Sequence, residues 1–294
     1  MAVVAVIGGS GRMGRWFANF LSKNGYEVII SDRKASAARS LARKKRFRFV
    51  KNPIQASQFS EIVLLATPTL ATKSLLTKIT SRVPRTTLIV EISSVKEPVR
   101  KTIKSLARRG ARIMSIHPMF GPGTDSLTGK SIIVAQEPPN CTLARRLLAM
   151  LAKRGARIVR SSLEDHDQLV AITLALPHLM NFAFIETLRN ADLPLDKVRE
   201  LGGTTFKLQL LIAEALYHES PNNEVSILAG NKHNMRAFAT FIRQVRQVHD
   251  IIQRKPRPEL LRRLLNDATY VRKDRLFGSA HERFVAAVEA SAPR

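Results

Sequence analysis

The 294-residue sequence predicts an α/β fold in which a doubly wound, mainly parallel sheet is followed by an all-α domain. Three observations predict it. Short β-branched runs alternate with helical patterns through the first half, a glycine-rich turn joins the first strand to the first helix, and strand patterns stop after about Ser162.

The elements follow in order. "VVAVIG" is a strand, "RWFANFLSKNG" a helix stopped by Gly25, and "EVIISD" a second strand. "ASAARSLARKK" is a helix and "RFRFV" a short strand. "EIVLLA", "TTLIVEIS" and "ARIMSIH" are strands separated by the helices "LATKSLLTKIT" and "EPVRKTIKSLARRG". "KSIIVAQ" and "ARIVRS" are further strands on either side of the helix "CTLARRLLAMLAKRG". Helices of this length between strands predict parallel βαβ units, and near-continuous apolar strands predict a sheet covered on both faces. At the change of pattern, "SLED" has the form of a helix-capping box, with Ser162 accepting from the amide of Asp165. The rest, beginning "DQLVAITLALPHLMNFAFIETLRNA" with Pro177 inside it, is helical. Domains are expected at 1–161 and 162–294. The long apolar helices of the second point to a face buried in a partner subunit, an all-α dimerisation domain.

Composition narrows the function classes. The content is 45% hydrophobic, no basic segment precedes the opening apolar run, and no window is expected to hold the roughly 18 apolar residues of a membrane span. A single cysteine, Cys141, rules out an internal disulfide framework, and a cytoplasmic location is expected with no membrane partner. The net charge is +25. Residues 1–150 carry 26 basic and 7 acidic groups and residues 151–294 carry 22 and 16. The basic residues are spread among helices and aromatics are only 6%, too few for a base-stacking platform. An anionic small-molecule substrate is therefore expected in preference to nucleic acid.

"VIGGSGRMG" places Gly9, Gly11 and Gly14 in the G-x-G-x-x-G pattern directly after a strand and at the start of a helix. In that setting the pattern predicts a Rossmann dinucleotide site: Gly9 for the tight turn, Gly11 for close approach of a pyrophosphate, Gly14 for packing of helix on strand. Ser10, Arg12 and Met13 complete the loop, whose helix N-terminus favours phosphate. Asp32 ends the second strand, where an acidic side chain binds the ribose hydroxyls of NAD. It favours NAD over NADP, although Arg33 and Lys34 follow and an arginine there suits a 2′-phosphate. Thr67, Pro68 and Thr69 are expected at the rim of the cofactor crevice, at the end of another strand.

His117 ends the strand "ARIMSIH", and Pro118 holds it extended. An imidazole of ordinary proton affinity there is a base for work near neutral pH, with Ser93, Ser94 and Lys96 at the same rim; a buried structural histidine is the alternative. Lys96 is equally an exposed first-turn lysine.

"GGSGRMG", "SSVK", "HPMFGP" and "EDHDQLVAITLALPH", in this order and spacing, resemble the prephenate dehydrogenase family. The resemblance implies a Rossmann domain, a helical dimerisation domain, a homodimer, and oxidative decarboxylation of prephenate in tyrosine biosynthesis with hydride transfer to NAD or NADP. It implies His117 as the catalytic base, Ser94 as its assistant and His178 as a substrate-facing residue. The family places an arginine for the ring carboxylate where this sequence has Lys207. Either Lys207 grips with a single ammonium instead of a planar fork, or another basic residue serves. Arogenate dehydrogenase, a β-hydroxyacid dehydrogenase and a Rossmann-based nucleotide-sensing or nucleic-acid-binding protein are the rival readings. The first expected strand begins at residue 2, so no chorismate mutase domain is expected ahead of it, and the C-terminal stretch is too short for a regulatory domain.

Overall fold

The computed structural model describes residues 2–218 and 220–291. The chain divides into two units, one of residues 1–170 with 225–232, the other of residues 171–224 with 233–294.

The first unit contains every expected strand: β1 (Val3–Ile7), β2 (Glu27–Ser31), β3 (Arg48–Phe49), β4 (Ile62–Leu65), β5 (Leu88–Glu91), β6 (Arg112–Pro118), β7 (Ser131–Gln136) and β8 (Arg157–Arg160). Between them run α1 (Arg12–Lys23), α2 (Ala35–Lys45), α3 (Pro53–Gln58), α4 (Thr69–Thr80), α5 (Glu97–Arg108) and α6 (Thr142–Lys153), and α7 (Leu163–Val170) follows β8. Sequence reasoning missed α3, whose start is marked by Asn52 accepting from the Ile54 amide (2.9 Å) ahead of a proline in the first turn.

The strands form one sheet in the order β3-β2-β1-β4-β5-β6-β7-β8. The order reverses between β1 and β4, the switch point outside which doubly wound sheets bind ligands. Alternate residues feed opposite faces. Val4, Val6, Ile62 and Leu64 pack with Phe17, Leu21 and Leu147, while Ala5, Ile7, Val63 and Leu65 pack with Leu76, Ile79 and Ile103. Burial on both faces is what makes these strands apolar throughout.

The pairing departs from all-parallel in one place, since β6 and β7 are antiparallel. A parallel return needs a crossover helix, and prolines and glycines keep the connection "MFGPGTDSLTGK" out of helix. The β6–β7 register also shifts between Ser115 and Ile116, immediately before His117. Such a bulge re-aims the side chains that follow it.

Asp165 N–H donates to Ser162 Oγ (3.0 Å), the cap expected for α7. Residues Leu163–Asn190 are helical throughout, through a π-helical turn at Ala171–Ala175 into α8 (Leu176–Asn190). A wider turn just ahead of Pro177 accommodates a ring that would collide with the preceding carbonyls of a regular helix. This run corrects the expectation about membrane spans: by length and composition alone it is long and apolar enough to cross one.

The second unit also contains α9 (Leu195–Leu201), α10 (Thr204–Leu216), α12 (Asn234–Arg254), α13 (Arg257–Val271) and α14 (Ala280–Ala290), while α11 (Pro221–Ala229) is shared between the units. Gln209 donates to Asn181 (2.6 Å) and Phe206 meets Phe184 edge to face, which ties α10 to α8. Helices α9, α13 and α14 bury no residue fully. On α13, Leu261, Leu264 and Leu265 are each 58% exposed, a single apolar stripe.

Candidate active site

The glycine loop sits at the end of β1. Gly8, not Gly9, makes the tight turn: its φ is +82°, and a Cβ there would lie 2.3 Å from the Ala66 carbonyl oxygen. The role expected of Gly9 therefore moves one residue back. Gly9 instead gives clearance to Ile30, 2.8 Å from the place of a Cβ. Gly14 packs as expected, since a Cβ would stand 2.1 Å from Gly8 O. At Gly11 the nearest atom is Gly8 O at 3.2 Å, so the space beyond its α-carbon is open. Gly11 opens α1 with no side-chain cap, which leaves the positive end of that helix facing the loop.

Ser10 N–H donates to Asp32 Oδ2 and Lys34 N–H to Oδ1, both at 3.0 Å. Asp32 thus ties the end of β2 to the loop while remaining half-exposed. Arg33 is exposed beside it, and Arg12 lies in the first turn of α1. Thr67, at the end of β4, bonds Thr72 of α4 (2.8 Å) and approaches Gly8, while Pro68 is exposed at the start of that helix. This cradle fits a dinucleotide: an open approach at Gly11, a helix N-terminus, and a carboxylate at the ribose position.

His117 is buried, and its ring partner is a second histidine rather than a serine. His117 Nδ1 and His166 Nε2 are 2.9 Å apart, and His166 Nδ1 is 2.9 Å from Asp167 Oδ1. The carboxylate fixes every proton in this chain. Asp167 accepts, so His166 carries its hydrogen on Nδ1 and has a bare Nε2. His117 must then donate from Nδ1, and its Nε2 is left with a lone pair. Asn231 supports the same turn by donating to the Asp167 carbonyl (2.6 Å).

Below this relay lies a second buried group. Lys96 Nζ donates to Glu91 Oε1 (2.7 Å) and to the Ile116 carbonyl (2.8 Å), and its amide donates to Asp167 Oδ1 (2.9 Å). Glu91 also accepts from Ser115 Oγ and from the Ser93 amide. Lys96 is fully buried, contrary to the exposed lysine that its first-turn position allowed.

Burial, then the His166 ring and the Lys96 charge, push the proton affinity of His117 well below that of an ordinary histidine. Burial does the same to His166, partly opposed by Asp167. His117 is thus not the imidazole of ordinary affinity that its sequence position predicted. It stays unprotonated in more acid solution.

Ser94 is half-buried, and among the described residues no hydrogen bond joins it to His117. In the second unit, His178 Nδ1 meets Glu224 Oε2 at 2.6 Å, and Lys207 is exposed on α10. Sequence reasoning missed His166, Asp167 and Glu91. The first two are the "HD" of "EDHD", a stretch that serves in the sequence as a helix cap and as part of the family resemblance without a chemical role of its own.

Fold and site together define a Rossmann-type nucleotide-binding unit with a buried imidazole pair at its strand ends. Residues 17–160 match the nucleotide-binding domain of prephenate dehydrogenase and residues 162–266 its dimerization domain, and the chain belongs to the prephenate dehydrogenase family. The first match begins beyond the glycine loop, which stands on its own geometry.

Among curated relatives, a probable arogenate/prephenate dehydrogenase of Methanocaldococcus jannaschii is 27% identical over 86% of this chain and 57% of its own length. The T-protein of Enterobacter agglomerans is 25% identical over 96% of this chain and 69% of its own. The chain thus spans between about half and two-thirds of these relatives. A crystal structure of Aquifex aeolicus prephenate dehydrogenase with hydroxyphenyl propionate and NAD+ superposes with a TM-score of 0.76 at 21% identity, over 93% of this chain and 99% of that one. Synechocystis arogenate dehydrogenase gives 0.69 at 19%, over 92% and 98%. At these identities the likeness is one of fold.

Proposed function

We propose that this protein is a prephenate dehydrogenase, oxidising prephenate to 4-hydroxyphenylpyruvate on the route to tyrosine. The observation that carries the reading is the proton order of the Asp167–His166–His117 relay, which leaves His117 Nε2 as a base. The name of the Methanocaldococcus relative, a probable arogenate/prephenate dehydrogenase, supports it.

A nicotinamide dinucleotide, when bound, supplies the hydride acceptor. The glycine loop and the N-terminus of α1 would hold its pyrophosphate, and Asp32 would hold the ribose hydroxyls, which favours NAD over a 2′-phosphorylated form. His117 Nε2 takes the proton of the ring C4 hydroxyl as C4 gives up its hydride and the C4–O bond becomes double. The bond to the ring carboxylate breaks, its electron pair enters the ring, and CO2 leaves. His117 then returns the proton to the phenolic oxygen. Protonated His117 donates to His166, which in turn donates to Asp167, so the transient imidazolium is stabilised by a prepared carboxylate. Positioned proton transfer of this kind contributes about 10²–10⁴-fold. Ser94 would steady the hydroxyl, and His178, bonded to Glu224, and Lys207 are the candidate substrate-binding residues, with Lys207 or another basic residue for the ring carboxylate.

The apolar stripe of α13 and the match to a dimerization domain support a homodimer formed through the helical unit.

The test is absorbance at 340 nm with prephenate or arogenate, each with NAD or NADP. Prephenate-dependent NADH formation that His117→Asn abolishes is expected. Faster turnover with arogenate would reassign the substrate, and silence of all four pairs in folded protein would overturn the reading.

A further inference from the structure

We infer that Lys96 is the positioning residue of this site, clamping both ends of the His117–His166–Asp167 relay and holding an ammonium charge, paired with Glu91, beside it. The inference rests on the reading of His117 as the base, and the clamp itself is geometry. One residue reaches the strand that carries His117 through its ammonium, on the Ile116 carbonyl at 2.8 Å, and the far end of the relay through its amide, on Asp167 Oδ1 at 2.9 Å.

The need for the first contact is local. Ile116 lies at the register shift between β6 and β7, where ladder bonding is interrupted, and a buried carbonyl there requires a donor. Glu91 makes the cation tolerable: its carboxylate accepts from Lys96 Nζ at 2.7 Å and from Ser115 Oγ, so the ion pair fastens β5 to β6 on either side of the bulge. A buried ion pair is a poor source of stability, since apolar residues of similar volume often serve as well or better. Its consequence here is electrostatic. The charged and titratable groups around His117 are Lys96 at the start of α5, Glu91 on β5, and His166 and Asp167 on α7. Of these, Lys96 opposes a proton on either histidine. The resting site therefore holds a bare imidazole, and the proton accepted during turnover is readily handed back.

The test reads the histidines directly, by 15N-edited NMR of the ring nitrogens, so it does not depend on turnover. In the unmodified protein, His117 should remain the neutral Nδ1–H tautomer below the ordinary titration point of about 6.5. Ordinary titration there overturns the inference. In Lys96→Met both histidines should titrate at higher pH, while Lys96→Arg, which keeps the charge, should shift them less. A folded Lys96→Met protein with unmoved titrations also overturns it. Should Lys96→Met fail to fold, the pair replacement Lys96→Met with Glu91→Leu removes both charges together and is held to the same outcome at His117 alone, because at His166 the two charges oppose each other. Shifted titrations without turnover of any substrate would refute the dehydrogenase reading and leave the clamp standing. Turnover with unmoved titrations would do the reverse.

Discussion

His117 and His166 share one proton between facing ring nitrogens 2.9 Å apart, and Asp167 decides which ring owns it. The pair joins the end of a central strand to the first helix after the sheet, across 49 residues of sequence. Replacing His166 by Phe leaves a buried Nδ1–H of His117 without its acceptor. A loss of about 1–3 kcal/mol in stability is expected from that unmade bond. In steady-state assays kcat should fall about 10-fold or more, with KM for the dinucleotide unchanged, because the glycine loop is untouched.

Both histidines bind protons more weakly in the folded protein than in the unfolded chain, where the value is about 6.5. Above that pH both states are neutral and the histidines contribute no slope. As pH falls below it, the unfolded chain takes up protons that the folded site refuses, so stability declines with acidification. Each histidine adds at most about 1.4 kcal/mol per pH unit. Urea denaturation from neutral pH down to about pH 5 should show this decline, and His117→Asn combined with His166→Phe should flatten it.

Two glycines of one loop should behave differently. Gly14→Ala drives a methyl group to 2.1 Å from a backbone oxygen that has nowhere to go. A cost of about 3 kcal/mol or more is expected by thermal or chemical denaturation. Gly11→Ala meets only one atom, at 3.2 Å, and should fold. On the proposed dinucleotide site its methyl group would stand where the pyrophosphate approaches, so dinucleotide affinity should fall about 10-fold by titration calorimetry, equivalent to about 1.4 kcal/mol.

Lysines placed in the stripe of α13 should separate the proposed dimer. With Leu261→Lys and Leu265→Lys combined, analytical ultracentrifugation is expected to give the mass of one chain where the unmodified protein gives two. An unchanged dimer would move the interface away from α13.

The sequence determined by itself what depends on near neighbours. Strand periodicity, helix lengths, the glycine spacing and the proline behind His117 are all written within a dozen residues, and each reports a backbone preference or a burial pattern. The strands and helices of a doubly wound sheet, Asp32 at the end of β2, and His117 at a strand end were legible for that reason, whereas the strand order and its switch point came from tertiary pairing. Which glycine turns was not, because Gly8 and Gly9 are chemically the same and only the approach of Ala66 and Ile30 separates them. The tertiary structure alone decided the proton chemistry. Lys96 reads as a surface lysine until Glu91, the Ile116 carbonyl and Asp167, 71 residues away, close around it. His117 reads as an ordinary base until burial and two neighbouring groups lower its proton affinity. Proton affinity and hydrogen-bond direction are set by what surrounds a side chain, and those surroundings exist only once distant segments have packed together.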